Sequence, residues 1–251
     1  MRVIRPRAMT ASERRRSFAL ALAMLGVGAV AGILVMIGFS SGLVTGVLAA
    51  VAAIGVGVGT AWTTRVLRPN RSRDLAGRLA NLLATTFDDS YTLLVSPRLP
   101  IRDTERLDGI LIGPGGVRIL TARDWHGRYR VRGRTWEFDA GRARGWVRCR
   151  TNPSHDAGSL AGGFTRWAAD HGFRDIPIQP TIAFPTARTR LTLEEPGDEI
   201  VTTDNAPWWA NGFGRVRRLD PGTAASLSAA VIVEVERHAR HVRELASGRS
   251  S

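Results

Sequence analysis

The sequence predicts an α/β domain preceded by two membrane-spanning helices, and three observations support this fold class. Residues 17–64 contain no charged side chain. Beyond them, short apolar β-type segments alternate with segments in which apolar residues recur at helical spacing. Asp220-Pro221 then supplies an N-cap and a first-turn proline for a long final helix. The predicted order is a helix, a set of strands, a helix, strands and a final helix.

The uncharged run is 48 residues long, whereas one membrane-spanning helix needs about 20 residues. Phe39-Ser40-Ser41-Gly42 interrupts the run near its middle. We therefore predict two spans, residues 18–39 and 43–62, joined by a tight turn. One long tilted span with an interfacial piece is the alternative. A secretory signal does not fit, because its apolar core has only about 7–15 residues.

Arginines flank the uncharged run on both sides, and the turn contains none. The positive-inside rule therefore places the turn outside and both chain termini in the cytoplasm. The predicted location is the cell membrane, crossed twice, with Trp62 at the inner interface. The flanking residues are Arg2, Arg5, Arg7, Arg14, Arg15 and Arg16 before the run, and Arg65, Arg68, Arg71 and Arg73 after it.

Glycines recur at four-residue spacing within the predicted spans. This spacing allows two helix backbones to approach closely. It predicts either a tightly packed hairpin or the seam of a homodimer. The spaced residues are Gly28 and Gly32; Gly38, Gly42 and Gly46; and Gly55 and Gly59.

The chain is thus interpreted as four segments. They are a basic cytoplasmic tail (residues 1–17), a transmembrane helical hairpin (18–64), a linker (65–73) and a soluble domain (74–251). The soluble domain begins with a predicted helix at residues 74–87, where leucines recur at helical spacing. A short strand is predicted at residues 91–95, and Pro97 and Pro100 predict a loop after it.

Two β-hairpins are predicted next. The glycines and proline of residues 113–116 form a strong turn signal between two apolar segments. Gly133-Arg134 separates a second pair of alternating segments. The predicted elements are strands at 107–112, 117–120, 128–131 and 135–138, a helix at 153–171, strands at 178–184 and 199–202, and a helix from 221 to about 246. Trp208 and Trp209 are predicted to lie in a loop.

The composition is strongly basic, with a formal net charge of +13, and all 35 basic residues are arginine. Arginine is effectively always protonated, so no side chain in this protein can serve as a catalytic lysine that changes its charge. Cys149 is the single cysteine, which excludes an intrachain disulfide. A cytoplasmic domain is compatible with that composition.

One motif is more specific than the rest. Residues 106–127 read RLDGILIGPGGVRILTARDWHG, with an Asp within an apolar strand, a Gly-Pro-x-Gly turn and a Trp-x-Gly exit. With Trp136 and with Asn152-Pro153 ahead of a helix, this stretch resembles the nuclease-related domain (NERD) family. The similarity covers about residues 74–185, judged by these motifs. It implies a restriction-endonuclease-like fold, with a mixed sheet flanked by helices.

The resemblance also implies a metal site. In such folds, two carboxylates on adjacent strands hold Mg²⁺, and a lysine beside them helps to activate water. Asp108 matches the first carboxylate. Thr121 stands where the second acid is expected, and Arg123 stands where the lysine is expected. The acid expected on the first helix is replaced by Arg78, which follows Gly77.

These replacements favour a degenerate site in which Asp108 pairs with Arg123. No cofactor is then expected; Mg²⁺ is expected only if the protein is an active nuclease. Asp124 should point to the opposite face of its strand. Asp103 and Glu105 are further acids that precede the strand of Asp108.

Alternating arginines provide a candidate binding surface. Arg128, Arg130, Arg132 and Arg134 share one face if the segment is a strand. Like charges on one face repel each other, so an anionic partner is plausible. Nucleic-acid phosphate and the anionic cytoplasmic leaflet are the candidate partners. Residues 65–251 contain 29 Arg and 21 Asp or Glu, so a solvated face balanced by these acids is the alternative.

Three functions therefore remain open at this point. The first is a membrane-anchored NERD-like protein that lacks catalysis and acts as a nucleic-acid-binding or scaffolding module. The second is a divergent Mg²⁺-dependent nuclease centred on Asp108. The third is a basic membrane protein that binds anionic lipid or a protein partner.

Overall fold

The structure is a computed structural model that describes residues 1–5, 11–38, 42–67, 71–101, 104–215 and 218–247. It divides into two compact units. One unit contains the two hydrophobic helices, and the other contains residues 1–5 together with the described residues from Arg71 onwards. The turn predicted at residues 39–41 lies outside the described residues, as does Asp103.

Six α-helices occur in the described part of the chain, and a 3-10 turn at Gly212–Arg215 follows the fifth. The first two are the hydrophobic helices. The helices are α1 (Ala11–Met36), α2 (Gly42–Leu67), α3 (Arg71–Ala84), α4 (Pro153–Asp170), α5 (Ala206–Asn211) and α6 (Pro221–Ser247).

Twelve strands occur in the same described residues. Most are short, and they form one six-stranded sheet, one four-stranded sheet and one separate pair. The strands are β1 (Arg2–Ile4), β2 (Thr92–Val95), β3 (Arg98–Ile101), β4 (Thr104–Arg106), β5 (Gly109–Gly113), β6 (Gly116–Ala122), β7 (Gly127–Gly133), β8 (Thr135–Asp139), β9 (Trp146–Arg148), β10 (Ile178–Phe184), β11 (Thr189–Pro196) and β12 (Glu199–Thr202).

Helices α1 and α2 are each long and apolar enough to cross a membrane. Their apolar stretches are Phe18–Met36 and Val44–Ala61. Only 17% and 6% of the residues in these stretches are buried, whereas the core helix of a soluble protein is mostly buried. Exposed apolar side chains on a helix of this length are suited to a lipid environment. This finding is consistent with the predicted membrane location.

Three of the spaced glycines bring α1 and α2 into close contact. A Cβ added at Gly55 would lie 2.9 Å from the Cα of Gly28, and one at Gly59 would lie 2.7 Å from Leu25 Cγ. Larger side chains would therefore separate the helices. By contrast, a Cβ at Gly42 or Gly46 would meet no described atom within 4 Å. These two glycines are therefore not needed for the close contact between α1 and α2, and the homodimer seam stays a prediction.

The six-stranded sheet has the order β1-β2-β5-β6-β10-β12. β2, β5 and β6 form an antiparallel meander, whereas β10 pairs in parallel with both β6 and β12. The turn between β5 and β6 closes at Gly116, whose φ of +94° favours glycine. The fold class is thus confirmed at the level of an α/β protein with mixed sheets and helices.

Helices cover both faces of this sheet. Successive residues of β6 point to opposite faces. Ile119 packs in the layer that contains Phe164 of α4 and Leu227 of α6. Leu120 packs in the layer that contains Leu79 of α3 and Trp209 of α5. The sheet is therefore buried on both sides, as is usual where parallel strands have helical connections.

The N-terminal residues belong to the soluble unit. β1 pairs in parallel with β2, with Val3 opposite Leu93. Val3 also packs against the α3 layer. Residues assigned to a basic tail by the sequence thus form an edge strand of the main sheet.

The four-stranded sheet has the order β11-β7-β8-β9. Its inner face contributes Val131 and Trp136 to a small core with Phe184 of β10 and Ala157 of α4. Every described residue of its outer face is at least partly exposed. β7, β8 and β9 pair antiparallel and β11 joins β7 in parallel, and one buried face with one solvated face is usual for a sheet of mainly antiparallel pairs.

Several sequence predictions are wrong in detail. The segment predicted as a loop at Pro97 and Pro100 contains β3, and the predicted loop at Trp208 is helix α5. Within the predicted linker, residues 65–67 belong to α2 and residues 71–73 to α3, and residues 68–70 lie outside the described residues. Strands β9 and β11 were not predicted. These strands form by tertiary pairing where local propensity is weak.

Candidate functional site

Two adjacent strands bring Asp108 and Thr121 opposite each other. β5 and β6 are antiparallel, and Gly109 pairs with Leu120. Continuing this register by one residue places Asp108, which directly precedes β5, opposite Thr121. Both positions lie on the face of the sheet that α4 covers.

The Asp108 carboxylate is anchored on the backbone of the neighbouring strand. Its Oδ2 accepts a hydrogen bond from the Ala122 N–H at 2.9 Å. The same oxygen lies 3.9 Å from Nη1 of Arg123. The predicted ion pair between Asp108 and Arg123 is therefore present, although its distance is long.

Arg123 has a closer partner that the sequence did not reveal. Its Nη2 donates to Oδ2 of Asp156 at 2.6 Å. Its Nη1 also donates to the Ala122 carbonyl at 3.2 Å. One guanidinium is thus shared between the carboxylates of Asp108 and Asp156. The signal for Asp156 was its place in the first helical turn after Asn152-Pro153, where an acid is favoured by the helix dipole.

The N-terminus of α4 is held in place by the other residues on which the resemblance to the NERD family rests. Asn152 is its N-cap, and the side-chain oxygen of Asn152 accepts the Ser154 N–H at 3.0 Å. The indole N–H of buried Trp136 donates to the Ser154 hydroxyl at 2.8 Å. Pro153 occupies the first turn, where its missing N–H costs nothing. Together these contacts position Asp156 beside Arg123.

Thr121 is fully buried. Its Oγ1 has no hydrogen-bond partner among the described residues. Leaving such a group unsatisfied costs about 1–3 kcal/mol in general. A neutral hydroxyl in this setting is a poor replacement for an anionic metal ligand.

The remaining acids and Arg78 do not join the cluster. Asp124 is exposed and accepts a hydrogen bond from the Thr186 hydroxyl at 3.3 Å. Arg78 is exposed on α3, which packs on the opposite face of the sheet, and it forms no ion pair among the described residues. The side chain of Glu105 lies outside the described residues.

These residues do not fit the Mg²⁺ ion that the resemblance implies. Mg²⁺ needs accessible, anionic oxygen ligands. Here Arg123 occupies the space between Asp108 and Asp156, and its fixed charge opposes a second cation. In the described part of the chain, no group of three or more His, Cys, Asp or Glu side chains is arranged to hold a metal.

The arginine stripe lies on β7 and in the turn that follows it. Arg128, Arg130 and Arg132 share the outer face of the four-stranded sheet, as predicted, whereas Arg134 lies in the turn to β8. Each has an acidic partner. The pairs are Arg128 with Asp139 (3.3 Å), Arg130 with Glu137 (2.6 Å), Arg132 with Glu194 (2.8 Å) and Arg134 with Asp198 (3.4 Å).

Two further arginines lie on the same outer face. Arg148 of β9 is opposite Glu137, and Arg190 of β11 is beside Arg128. Both are exposed, and neither forms an ion pair with a described acid. Trp146 of β9 is half-buried on this face, and the guanidinium carbon of Arg130 lies 4.8 Å from its ring centroid.

We call this outer surface the basic sheet face. It carries five arginines and three carboxylates among the described residues, and therefore an excess of positive charge. Its members are Arg128, Arg130, Arg132, Arg148, Arg190, Glu137, Asp139, Glu194, Trp146, Thr135 and Thr192. The exposed arginines Arg142 and Arg144 in the turn between β8 and β9 adjoin it.

No family model, no curated protein and no solved structure matches this chain. The geometry of two clusters therefore carries the functional argument. One cluster is the guanidinium shared by Asp108 and Asp156, and the other is the basic sheet face.

Proposed function

We propose that this protein is a membrane-anchored, nuclease-related (NERD-like) domain whose catalytic position is degenerate, and that it acts as a nucleic-acid-binding or scaffolding module. One observation carries the proposal. The guanidinium of Arg123 lies 2.6 Å from Asp156 and 3.9 Å from Asp108, at the position where the resemblance implies a metal ion. A fixed cation at that position stabilises the two carboxylates in place of Mg²⁺.

The mixed sheet flanked by helices supports a restriction-endonuclease-like fold. Asp108 precedes β5 and Thr121 lies in β6, so the two positions named by the resemblance are neighbours on adjacent strands. The helix that covers them is held by Trp136 and Asn152, which belong to the same resemblance. These features agree with a relationship to nucleases in which the fold is retained and the ligand set is altered.

The topology we propose is two-pass, with both termini cytoplasmic. β1 is a strand of the soluble unit, and this pairing supports a topology in which the residues before α1 and those after α2 share one side of the membrane. An even number of crossings between them meets this requirement. The arginines that flank the uncharged run favour the cytoplasmic side.

The ligand we propose is nucleic acid. Phosphate groups are bound by arginine with geometric complementarity, and the basic sheet face has an excess of arginine over carboxylate. The carboxylates that pair with these arginines lower the net positive charge of the face. Binding should therefore be moderate, independent of sequence and strongly weakened by salt.

A cleavage assay tests the catalytic part of this proposal. The full chain, reconstituted in nanodiscs of zwitterionic lipid, is incubated with labelled DNA and RNA in Mg²⁺ or Mn²⁺. We expect no metal-dependent cleavage above that of the matched variant Asp108→Ala, because Arg123 opposes metal binding at this position. Cleavage that the wild-type chain performs and Asp108→Ala lacks would contradict the proposal.

The second candidate is the divergent Mg²⁺-dependent nuclease, and Asp156 is the observation that favours it. A second carboxylate on the same guanidinium means that two acids would face each other if Arg123 moved away. Metal-dependent cleavage lost in both Asp108→Ala and Asp156→Ala would establish this function. Cleavage unaffected by both variants would point to a contaminant.

A further inference from the structure

We infer that the basic sheet face binds single-stranded nucleic acid, with a base stacked at Trp146 and phosphates held by Arg148 and Arg190. The inference rests on the proposed function and names its ligand class and site. It follows from the distribution of charge across the sheet, from the aromatic ring on its exposed side and from the width of a four-stranded sheet.

The arginines of the face divide into a paired set on the central strand β7 and one unpaired arginine on each edge strand. Arg128 and Arg130 pair with carboxylates of β8, and Arg132 pairs with Glu194 of β11. Arg148 lies on β9 and Arg190 on β11, which are the two edge strands. Three strand spacings of about 4.8 Å place these margins roughly 14 Å apart. A flexible phosphate backbone can cross the sheet from one margin to the other.

Trp146 supplies a stacking surface on the same margin as Arg148. It lies on the edge strand β9, opposite Asp139, and it is half-buried on the outer face. Arg130 lies over its ring, so a planar guanidinium and an indole adjoin each other. Aromatic rings and arginine planes both stack on bases of any sequence.

The shape of the face favours a single strand over a duplex. Duplex bases are reached through grooves that admit a helix or a two-stranded ribbon, and a four-stranded sheet is wider than such a ribbon. The carboxylates of Glu137 and Asp139 at the centre would also repel a rigid row of phosphates. A single strand can place a base on Trp146 at the β9 margin and keep its phosphates at the marginal arginines, away from the central carboxylates.

The test uses the full chain in zwitterionic nanodiscs. The probe is a fluorescein-labelled single-stranded oligonucleotide of mixed sequence, compared with the same strand annealed to its complement. Fluorescence anisotropy at several KCl concentrations gives the affinities. We expect tighter binding of the single strand.

Trp146→Ala should weaken single-strand binding by about 5- to 150-fold, the range that corresponds to one lost stacking contact, with little effect on duplex binding. Trp146→Phe should retain most of the affinity and confirm that the variant surface is intact. The matched control is Trp208→Ala, because Trp208 is 81% exposed on α5, away from the basic sheet face. It should leave binding unchanged.

The double variant Arg148→Gln, Arg190→Gln should reduce the logarithmic salt slope for the single strand by about 1.4, from two lost phosphate contacts. Tighter binding of the duplex than of the single strand would overturn the inference, and so would an equal loss of affinity for both probes in Trp146→Ala. In either case salt-sensitive binding would still support the proposed function. Absence of binding to either probe would overturn both. If instead these variants weakened binding to phosphatidylserine vesicles alone, the partner would be lipid, and the inference would be wrong.

Discussion

Arg118 of the six-stranded sheet and Arg132 of the four-stranded sheet each pair with a glutamate, in very different surroundings. Arg118 is 1% exposed, and its Nε and Nη2 each lie 3.1 Å from one oxygen of Glu199. Its Nη1 donates to the Gly115 carbonyl, and its guanidinium carbon lies 4.1 Å from the ring centroid of Phe213. Each nitrogen of this guanidinium thus donates a hydrogen bond, and one face of the group packs on an aromatic ring.

Glu199 is equally well connected. Besides Arg118, it accepts hydrogen bonds from the Thr181 hydroxyl at 3.0 Å and from the indole N–H of Trp209 at 3.3 Å. Arg132, by contrast, is exposed, and both its Nε and Nη2 contact a single oxygen of Glu194 at 2.8 Å. Water competes for that pair, whereas it is excluded from Arg118.

The difference shows that the same residue type has two roles in this arginine-rich chain. A buried arginine must be paired completely, because an uncompensated charge in the interior is very costly. An exposed arginine keeps its hydration and is available to a ligand. Arg123 is intermediate, since it is partly exposed and shares two carboxylates. The following predictions test this ranking.

The largest effect is expected for Glu199→Ala. Removing this carboxylate leaves the buried guanidinium of Arg118 without its bidentate partner. The free energy of unfolding should fall by up to about 3 kcal/mol, the lower end of the range for broken buried pairs, because Arg118 is buried whereas the side chain of Glu199 is 30% exposed. Urea denaturation of the full chain in detergent, followed by tryptophan fluorescence, measures this change.

Two controls make that result specific. Glu194→Ala removes the acid of the exposed pair and should change the urea midpoint far less. The double variant Arg118→Met, Glu199→Leu replaces both charges with apolar groups and should recover part of the loss. A loss of stability in Glu199→Ala no greater than in Glu194→Ala would show that the two arginines are equivalent.

An intermediate effect is expected at Arg123. Its 2.6 Å contact with Asp156 should give a coupling energy of about 0.5–1 kcal/mol in a double-mutant cycle, because the pair is partly hydrated. The 3.9 Å contact with Asp108 should give a smaller coupling. The variants Arg123→Ala, Asp156→Ala and Asp108→Ala, singly and in pairs, supply both cycles. A stronger coupling to Asp108 would reverse the order of partners described here.

Local signals were sufficient for much of the main sheet. The Gly-Pro-Gly-Gly turn defined the hairpin of β5 and β6, and Asp220-Pro221 predicted the start of α6. Alternating arginines predicted β7. In each case the information lies within a few residues of the element, as turn chemistry and capping do.

The elements that were missed depend on distant partners. β11 pairs in parallel with β7, about 60 residues earlier, and its sequence is polar and charged. β1 has only three residues, and its pairing with β2 crosses the whole hydrophobic segment. Parallel and edge pairings of this kind leave little trace in local sequence.

The candidate site was predicted in part for the same reason. Asp108, Thr121 and Arg123 belong to one hairpin, so their proximity follows from strand register. Asp156 reaches Arg123 from α4, and only tertiary packing brings it there. Arg118 lies in an otherwise apolar strand, and nothing local predicted that Glu199 neutralises it.

The smallest effect on stability is expected on the basic sheet face, where exchanging the two charges of an ion pair should be tolerated. Glu194→Arg places a second arginine directly opposite Arg132 and should lower the urea midpoint slightly at low ionic strength. Adding Arg132→Glu restores an ion pair with the opposite polarity and should return the midpoint to the wild-type value. Because the screening length is about 10 Å at 0.1 M salt, these differences should shrink as KCl is added. The reciprocal variant keeps the net charge of the face, so it should also keep its salt-dependent affinity for single-stranded oligonucleotides. A large loss of stability in Glu194→Arg that does not depend on salt, and that Arg132→Glu does not restore, would contradict this prediction. The exposed pair would then contribute as much to stability as Arg118 with Glu199, and the difference between the two sheets would not hold.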